Sequence, residues 1–136
     1  MPSPEFRTAT LVTVEENRDA FVVGLSENPA GDGAYLIFQC ALTPPDAQDA
    51  ATGLDTYCLL DEDGAVQYGG VTHAGLANAT LTLALTEQAA EELGVEDESQ
   101  TIVIDVPETD ASRLAEGLRR IFSYGSPANF PQLSGI

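Results

Sequence analysis

Three side chains in the sequence could form a nucleophile and its base: the thiols of Cys40 and Cys58 and the imidazole of His73. His73 is the only histidine in the sequence and lysine is absent, so the usual general bases are nearly missing. A cysteine–histidine pair can perform nucleophilic catalysis. However, no arginine lies near either cysteine in the sequence to stabilise a thiolate. We therefore expect two buried, reduced thiols and a histidine without a catalytic role.

Carboxylates offer two further kinds of chemistry. A pair such as Asp55 and Asp61 could act as general acid and base in a hydrolase, although any acid-rich chain supplies such pairs. The run Asp61-Glu62-Asp63-Gly64 resembles a calcium loop, but Leu59 stands at the first ligand position and Gly70 at the position of the bidentate glutamate. Zinc needs four close nitrogen or sulfur ligands, which two cysteines and one histidine do not supply. We predict a hairpin turn at residues 61–64, no metal and no other cofactor.

Net charge is the strongest global feature of the sequence. The chain contains 22 Asp and Glu against five basic residues, all of them arginine, and its formal net charge is −17. Such a chain repels phosphate backbones and anionic membranes, so we expect it to bind neither nucleic acid nor a membrane directly. A basic protein is the partner that it would attract. Solubility, or adaptation to high salt, is the alternative explanation of the same charge.

Length and composition predict a single domain over residues 1–136, with a packed core over residues 6–122 and an irregular tail over residues 123–136. No run approaches the roughly 18 apolar residues that cross a bilayer. The start, Met1-Pro2-Ser3-Pro4-Glu5, lacks the basic and apolar regions of a signal peptide. We therefore expect a cytoplasmic protein.

The distribution of residue types predicts an α+β fold. β-Branched and apolar runs predict strands at residues 6–14, 20–25, 34–40, 55–60, 65–68, 80–85 and 101–106. Capping residues and helical periodicity predict helices at residues 87–93 and 110–124, and a short helical turn at residues 46–52. We expect an antiparallel β-sheet of about six to seven strands, with the two helices of the C-terminal half packed on one face. An edge strand could pair with its twin, so the chain is either a monomer or a homodimer.

The segment between Gly53 and Val71 has an unusual composition. If its two predicted strands pair across the acidic turn, Tyr57 and Tyr68 lie near each other. Aromatic side chains beside carboxylates are typical of a surface that binds a basic protein. In the alternative interpretation both tyrosines cap the core and the glycines serve backbone geometry. The candidate partner-binding residues are Asp55, Tyr57, Asp61, Glu62, Asp63, Tyr68, Gly69 and Gly70.

Four short motifs carry a resemblance to a known family. They are Tyr35-Leu36-Ile37-Phe38-Gln39, the spaced acids Asp46 and Asp49, Gly53-Leu54-Asp55-Thr56-Tyr57-Cys58, and Tyr68-Gly69-Gly70-Val71. They are similar to motifs of the immunity protein 10 family of bacterial polymorphic toxin systems, and the resemblance covers about residues 6–122. It implies a cytoplasmic, non-catalytic protein that binds and neutralises a cognate toxin domain encoded beside it. It assigns no inhibitory residues.

Two other functions stay open on the sequence alone. A small hydrolase or transferase would need a cleft that holds two converging carboxylates, or His73 within hydrogen-bond distance of Cys40 or Cys58. An acidic nucleic-acid mimic, acting as a decoy, would need carboxylates arranged in a stripe with duplex-like spacing.

Overall fold

The computed structural model of the chain describes residues 8–28, 34–44, 46–52, 55–61, 64–94, 98–125, 127 and 130–136. These residues contain both helices and strands and confirm the α+β class. The strands are β1 (Thr8–Ala9), β2 (Leu11–Glu16), β3 (Ala20–Ser26), β4 (Tyr35–Ala41), β5 (Cys58–Asp61), β6 (Val66–Tyr68), β7 (Val71–Ala77), β8 (Thr80–Leu85), β9 (Ser99–Ile104) and β10 (Gln132–Ser134). The helices are α1 (Ala47–Thr52), α2 (Glu87–Glu92) and α3 (Glu108–Phe122).

The ten strands of the described residues form two five-stranded sheets, so the expected count of six to seven strands is too low. Sheet 1 has the order β2-β3-β4-β5-β6, and all its neighbours are antiparallel. Sheet 2 has the order β1-β9-β8-β7-β10, and its two edge strands, β1 and β10, pair in parallel with their neighbours.

Two features of the sequence account for most of the difference between the predicted and the observed number of strands. The strand predicted at residues 6–14 is interrupted at Thr10, and its two described pieces enter different sheets. β7 contains alanine, glycine and histidine in place of the β-branched run that marks a strand. Its strand conformation comes from pairing with β8, whose Leu81, Leu83 and Leu85 alternate as predicted and are buried.

α3 covers the inner face of sheet 1. Its apolar stripe of Leu114, Leu118, Ile121 and Phe122 is buried, and the helix contacts β2, β3 and β4. Gly117 permits this close approach, because a Cβ atom there would lie 2.7 Å from Cγ2 of Val23. The inner faces of both sheets, together with α2 and α3, contribute to one hydrophobic core. Among the helices of the described residues, none is long and apolar enough to cross a membrane.

α2 contacts both sheets and helps to join them. It begins after Thr86, whose hydroxyl caps the helix by accepting a hydrogen bond from the Ala89 amide at 3.0 Å. The helix contacts β6 of sheet 1 and β8 of sheet 2. Ala89 and Ala90 on its buried side belong to the common core.

Tyr57 connects sheet 1, sheet 2 and α3. Its side chain is fully buried, and its ring meets that of Phe122 edge to face with centroids 5.1 Å apart. Its hydroxyl accepts a hydrogen bond from the Val71 amide at 3.2 Å and donates one to the Val71 carbonyl at 3.3 Å. Burial raises the pKa of Tyr57 to about 12. One side chain therefore forms hydrogen bonds with both the amide and the carbonyl group at the start of β7, where the chain leaves sheet 1 and enters sheet 2.

The chain after Phe122 differs from the expected irregular tail, because Gln132–Ser134 forms β10. This strand pairs in parallel with β7, and Nε2 of His73 lies 3.2 Å from Oγ of Ser134. All three residues of β10 are exposed, and three residues are fewer than the roughly four to eight over which alternation of apolar and polar residues predicts a strand. Pairing with β7 supplies the strand conformation.

We predict that Tyr57→Phe lowers the free energy of unfolding by about 1–3 kcal/mol, because it removes both hydrogen bonds to buried Val71 and keeps the ring. Urea unfolding followed by circular dichroism measures the change. Tyr68→Phe is the matched control, since Tyr68 is 44% exposed, and we expect a change within about 0.5 kcal/mol. Equal stability of wild type and Tyr57→Phe would contradict the role given to this hydroxyl.

Candidate functional site

The predicted acidic hairpin is formed by β5 and β6, which pair with Cys58 opposite Tyr68 and Leu60 opposite Val66. Oδ1 of Asp61 accepts a hydrogen bond from the Ala65 amide at 3.0 Å, and the Asp61 carbonyl accepts one from the Gly64 amide at 3.1 Å. Asp61 thus closes the turn. Glu62 and Asp63, the other two acids predicted to bind the partner, lie outside the described residues.

The hairpin does not place Tyr57 and Tyr68 on one surface. Side chains alternate between the two faces of a sheet, and the residue opposite Tyr68 is Cys58, not Tyr57. Tyr57 therefore points to the core, where it is fully buried, whereas Tyr68 is 44% exposed. The expectation that both tyrosines contact a partner is wrong for Tyr57, for which the alternative interpretation of a core tyrosine applies.

Gly69 and Gly70 form the crossing between the two sheets. Gly69 has a φ angle of +68°, which favours glycine, and its amide donates to the Tyr57 carbonyl at 3.1 Å. Gly70 is buried, and its amide donates to Oε1 of Gln67 at 2.8 Å. A Cβ atom at Gly70 would collide with Oε1 of Gln67 and with Cβ of Ala89. These contacts give both glycines a structural role.

Asp55 lies beside the segment that follows α3. It is partly buried, and the next residue, Thr56, forms an isolated antiparallel bridge with Gly125. The Asp55 carbonyl lies directly against Gly125, which has a φ angle of +84° and no room for a Cβ atom. Of the described candidate residues, only Tyr68 is therefore largely exposed.

The two thiols and the imidazole do not form a catalytic pair. Cys40 and Cys58 lie in sheet 1, whereas His73 lies in sheet 2, where its ring contacts Ser134. No hydrogen bond joins either thiol to His73 in the described part of the chain. Burial raises the pKa of both thiols, that of Cys58 to about 11 with a smaller contribution from nearby Cys40. A nucleophilic cysteine requires the opposite change.

One open depression of about 380 Å³ lies beside Cys40. It is lined by Cys40, Ala41, Leu42, Thr43, Pro44, Arg120, Ser123, Tyr124 and Gly125. This lining contains no carboxylate, and its charged residue, Arg120, forms an ion pair with Glu16 at 2.9 Å. Within the described residues, no three His, Cys, Asp or Glu side chains are grouped so that they could hold a metal ion.

Sheet 1 presents a second, outward surface that is largely apolar. We call it the outer face and define it by six outward side chains, of which only Gln39 carries an amide: Val22, Ile37, Gln39, Leu60, Val66 and Tyr68. Strand register places Val22, Gln39, Cys58 and Tyr68 in one row across the sheet, and Ile37, Leu60 and Val66 in the next. Val66 is 42% and Tyr68 44% exposed.

Most of the outer face escaped the sequence prediction, which selected only Tyr68 from it. A signal was present, because β3 and β4 carry apolar residues at their outward positions, Val22 and Ile37, as well as at their inward ones. Such a strand is typical of a sheet covered on both sides. Without the register, the sequence does not reveal that these residues join Leu60, Val66 and Tyr68 in one surface.

Carboxylates surround this surface and do not cross it. Within the described part of the chain they lie at strand ends, in turns and on helices, and none occupies the middle of a strand. Arg113 and Arg120 of α3 lie behind sheet 1, where they pair with Asp110 at 3.7 Å and Glu16 at 2.9 Å. The described carboxylates therefore do not form the row with duplex-like spacing that a nucleic-acid mimic needs.

The chain matches a known protein family. Residues 8–112 match the family described as Immunity protein 10, a range that extends from β1 into the start of α3. The match covers more than half of the chain and includes β5, β6 and the crossing between the sheets. No curated protein and no solved structure matches.

We predict that Cys58 in the native chain reacts with iodoacetamide at pH 8 at least about a hundredfold more slowly than in urea. A thiol with a pKa of about 11 in place of the ordinary 9.0 carries about a hundredth of the thiolate at that pH. Mass spectrometry of the cysteine peptides measures both rates, and Cys40 should also be slow in the native chain. Faster reaction of either cysteine in the native chain than in urea would restore the nucleophile hypothesis.

Proposed function

The chain belongs to the immunity protein 10 family, and from that premise we propose that it binds and neutralises a cognate toxin domain without catalysing a reaction. The toxin belongs to a bacterial polymorphic toxin system, and its domain is basic. Binding takes place in the cytoplasm of the producing cell, where the chain protects that cell and its kin.

The observation that supports a basic partner is the excess of surface carboxylate. The formal net charge is −17, and two of the four described arginines, Arg113 and Arg120, already pair with acids of the same chain. Such a surface attracts a cationic protein at long range and raises the rate of encounter. An acidic inhibitor is suited to cover the positive cleft of an enzyme that acts on anionic substrates.

The arrangement of reactive groups supports binding over catalysis. The thiols of Cys40 and Cys58 are buried in sheet 1 away from His73, and burial raises their pKa. The depression beside Cys40 offers an arginine that is already paired and no acid–base pair. A hydrolase or transferase would have to use groups that the described part of the chain does not bring together.

We predict that neutralisation is stoichiometric. When the chain is titrated into the toxin domain encoded beside it, toxin activity should fall linearly and vanish near one chain per toxin, because each chain occupies one toxin. The residual activity should not depend on the time of preincubation. Progressive loss of toxin activity at a small fraction of one equivalent would instead indicate that the chain modifies the toxin catalytically.

We predict that the association rate constant falls by about tenfold or more between 50 and 500 mM NaCl, while the dissociation rate constant changes little, because salt screens long-range attraction. Surface plasmon resonance with an inactivated toxin domain measures both constants. An association rate that does not respond to salt would contradict a partner selected by charge, although it would leave neutralisation itself intact.

A further inference from the structure

We propose that the outer face of sheet 1 is the surface that docks on the toxin domain, an inference that rests on the proposed function. The toxin surface that it fits has an apolar centre with cationic side chains on both sides. This surface is formed by β3, β4, β5 and β6, and it includes Tyr68 of the predicted hairpin site but not Tyr57 or Gly70, which are buried.

Two of the six large apolar side chains that are exposed in the described residues lie next to each other on this face. Val66 and Tyr68 lie two residues apart on β6, and therefore on the same side of the sheet, with exposures of 42% and 44%. Strand register continues the apolar surface from Val66 through Leu60 to Ile37. Tyrosine is among the residues that most often dominate binding energy at protein interfaces, because it buries a large ring and keeps a polar end.

Charge flanks this face at both ends of the strands. Glu15 and Asp19 lie at the end formed by the β2–β3 turn, where they outnumber Arg18. Glu27 and Asp61 lie at the opposite end, because Ser26 pairs with Tyr35 and Leu36 pairs with Asp61. The arginines of α3 that form ion pairs, Arg113 and Arg120, are on the other side of sheet 1. The field in front of the outer face is therefore negative, and the partner that complements it is cationic.

The area of the outer face explains why the partner must contact both its apolar centre and the carboxylates at the strand ends. With strands about 4.8 Å apart and about 3.3 Å per residue along them, the four strands and two outward rows of the outer face cover on the order of 250 Å². A stable protein–protein interface buries about 800 Å² on each partner. A partner that docks on the apolar centre must therefore also reach the carboxylates at the strand ends, and this requires cationic groups at the periphery of its own interface.

A second copy of the chain fits this face poorly. In a twofold symmetric contact the same surface faces itself. Because both ends of the outer face carry carboxylates, either direction of strand alignment places acid against acid across such an interface. Like charges that face each other oppose association, so the charge at the strand ends selects a cationic partner over self-association.

The chain offers a closely matched pair of variants for the test. Val66 lies on the outer face of sheet 1, and Val103 lies on the outward side of sheet 2 between buried Ile102 and Ile104. The two valines are 42% and 45% exposed. Val66→Lys and Val103→Lys therefore make the same chemical change, at nearly equal exposure, with the same change in net charge. Tyr68→Ala is the third variant, and thermal unfolding of all three checks that the fold is kept.

Affinity for an inactivated toxin domain, encoded beside this chain, is measured by isothermal titration calorimetry at 150 mM NaCl. We expect Val66→Lys and Tyr68→Ala to weaken binding by about tenfold or more, because each removes an apolar anchor from the centre of the interface. Val103→Lys should bind within about twofold of wild type. Equal affinity of Val66→Lys and wild type, or equal losses in both lysine variants, would overturn the assignment of this face.

Failure of the docking face and failure of the proposed function give different results. If wild type binds tightly but only Val103→Lys loses affinity, the chain is a toxin binder that uses sheet 2. If wild type does not bind the toxin domain at 50 mM NaCl, the proposed function fails and the docking face fails with it. Analytical ultracentrifugation of the chain alone tests whether a second copy occupies the outer face. If wild type is a dimer and Val66→Lys is a monomer, the face binds a second copy and the assignment to the toxin domain is overturned.

Discussion

The buried hydroxyl of Tyr57 must be hydrogen-bonded. A buried hydroxyl without a hydrogen-bond partner destabilises the folded protein more than replacing that hydroxyl by an apolar group does. The backbone of Val71 meets that requirement, and the ring of Phe122 packs against the phenol that carries the hydroxyl. The two sheets and α3 therefore share one set of contacts, so that neither sheet can shift without breaking them. Gly69 and Gly70 form the crossing beside this contact, because Gly69 has a φ angle of +68°, which favours glycine, and a Cβ atom at Gly70 would collide with Gln67 and Ala89.

The sequence was sufficient for elements that carry their own local signal. The alternating leucines of β8, the Thr86 cap of α2 and the apolar stripe of α3 each predicted the observed element within about two residues at its ends. The split of the fold into two sheets had no such local signal. It depends on the interruption at Thr10 and on the pairing of β7 and β10, strands whose own residues have little preference for extended structure.

Prediction of the site was limited by register. The composition of residues 53–71 drew attention to the β5–β6 hairpin, but a one-residue difference in pairing decides which tyrosine faces the solvent. The glycines of the same segment serve the crossing between the sheets, which a sequence cannot distinguish from contact with a partner. Apolar residues on both sides of β3 and β4 were visible in the sequence, whereas their assembly with Val66 and Tyr68 required the fold.

The order of the elements along the chain affects how the protein is made. Sheet 1 is built from the contiguous residues 11–68, yet the helix that covers its inner face spans residues 108–122. Ribosomes release the N-terminal part of a protein first, so the apolar inner face of sheet 1 emerges before its cover has been synthesised. A chain whose translation stops before α3 therefore exposes Val23 and Phe38 to water. Such a truncated chain must be bound by chaperones or degraded by proteases.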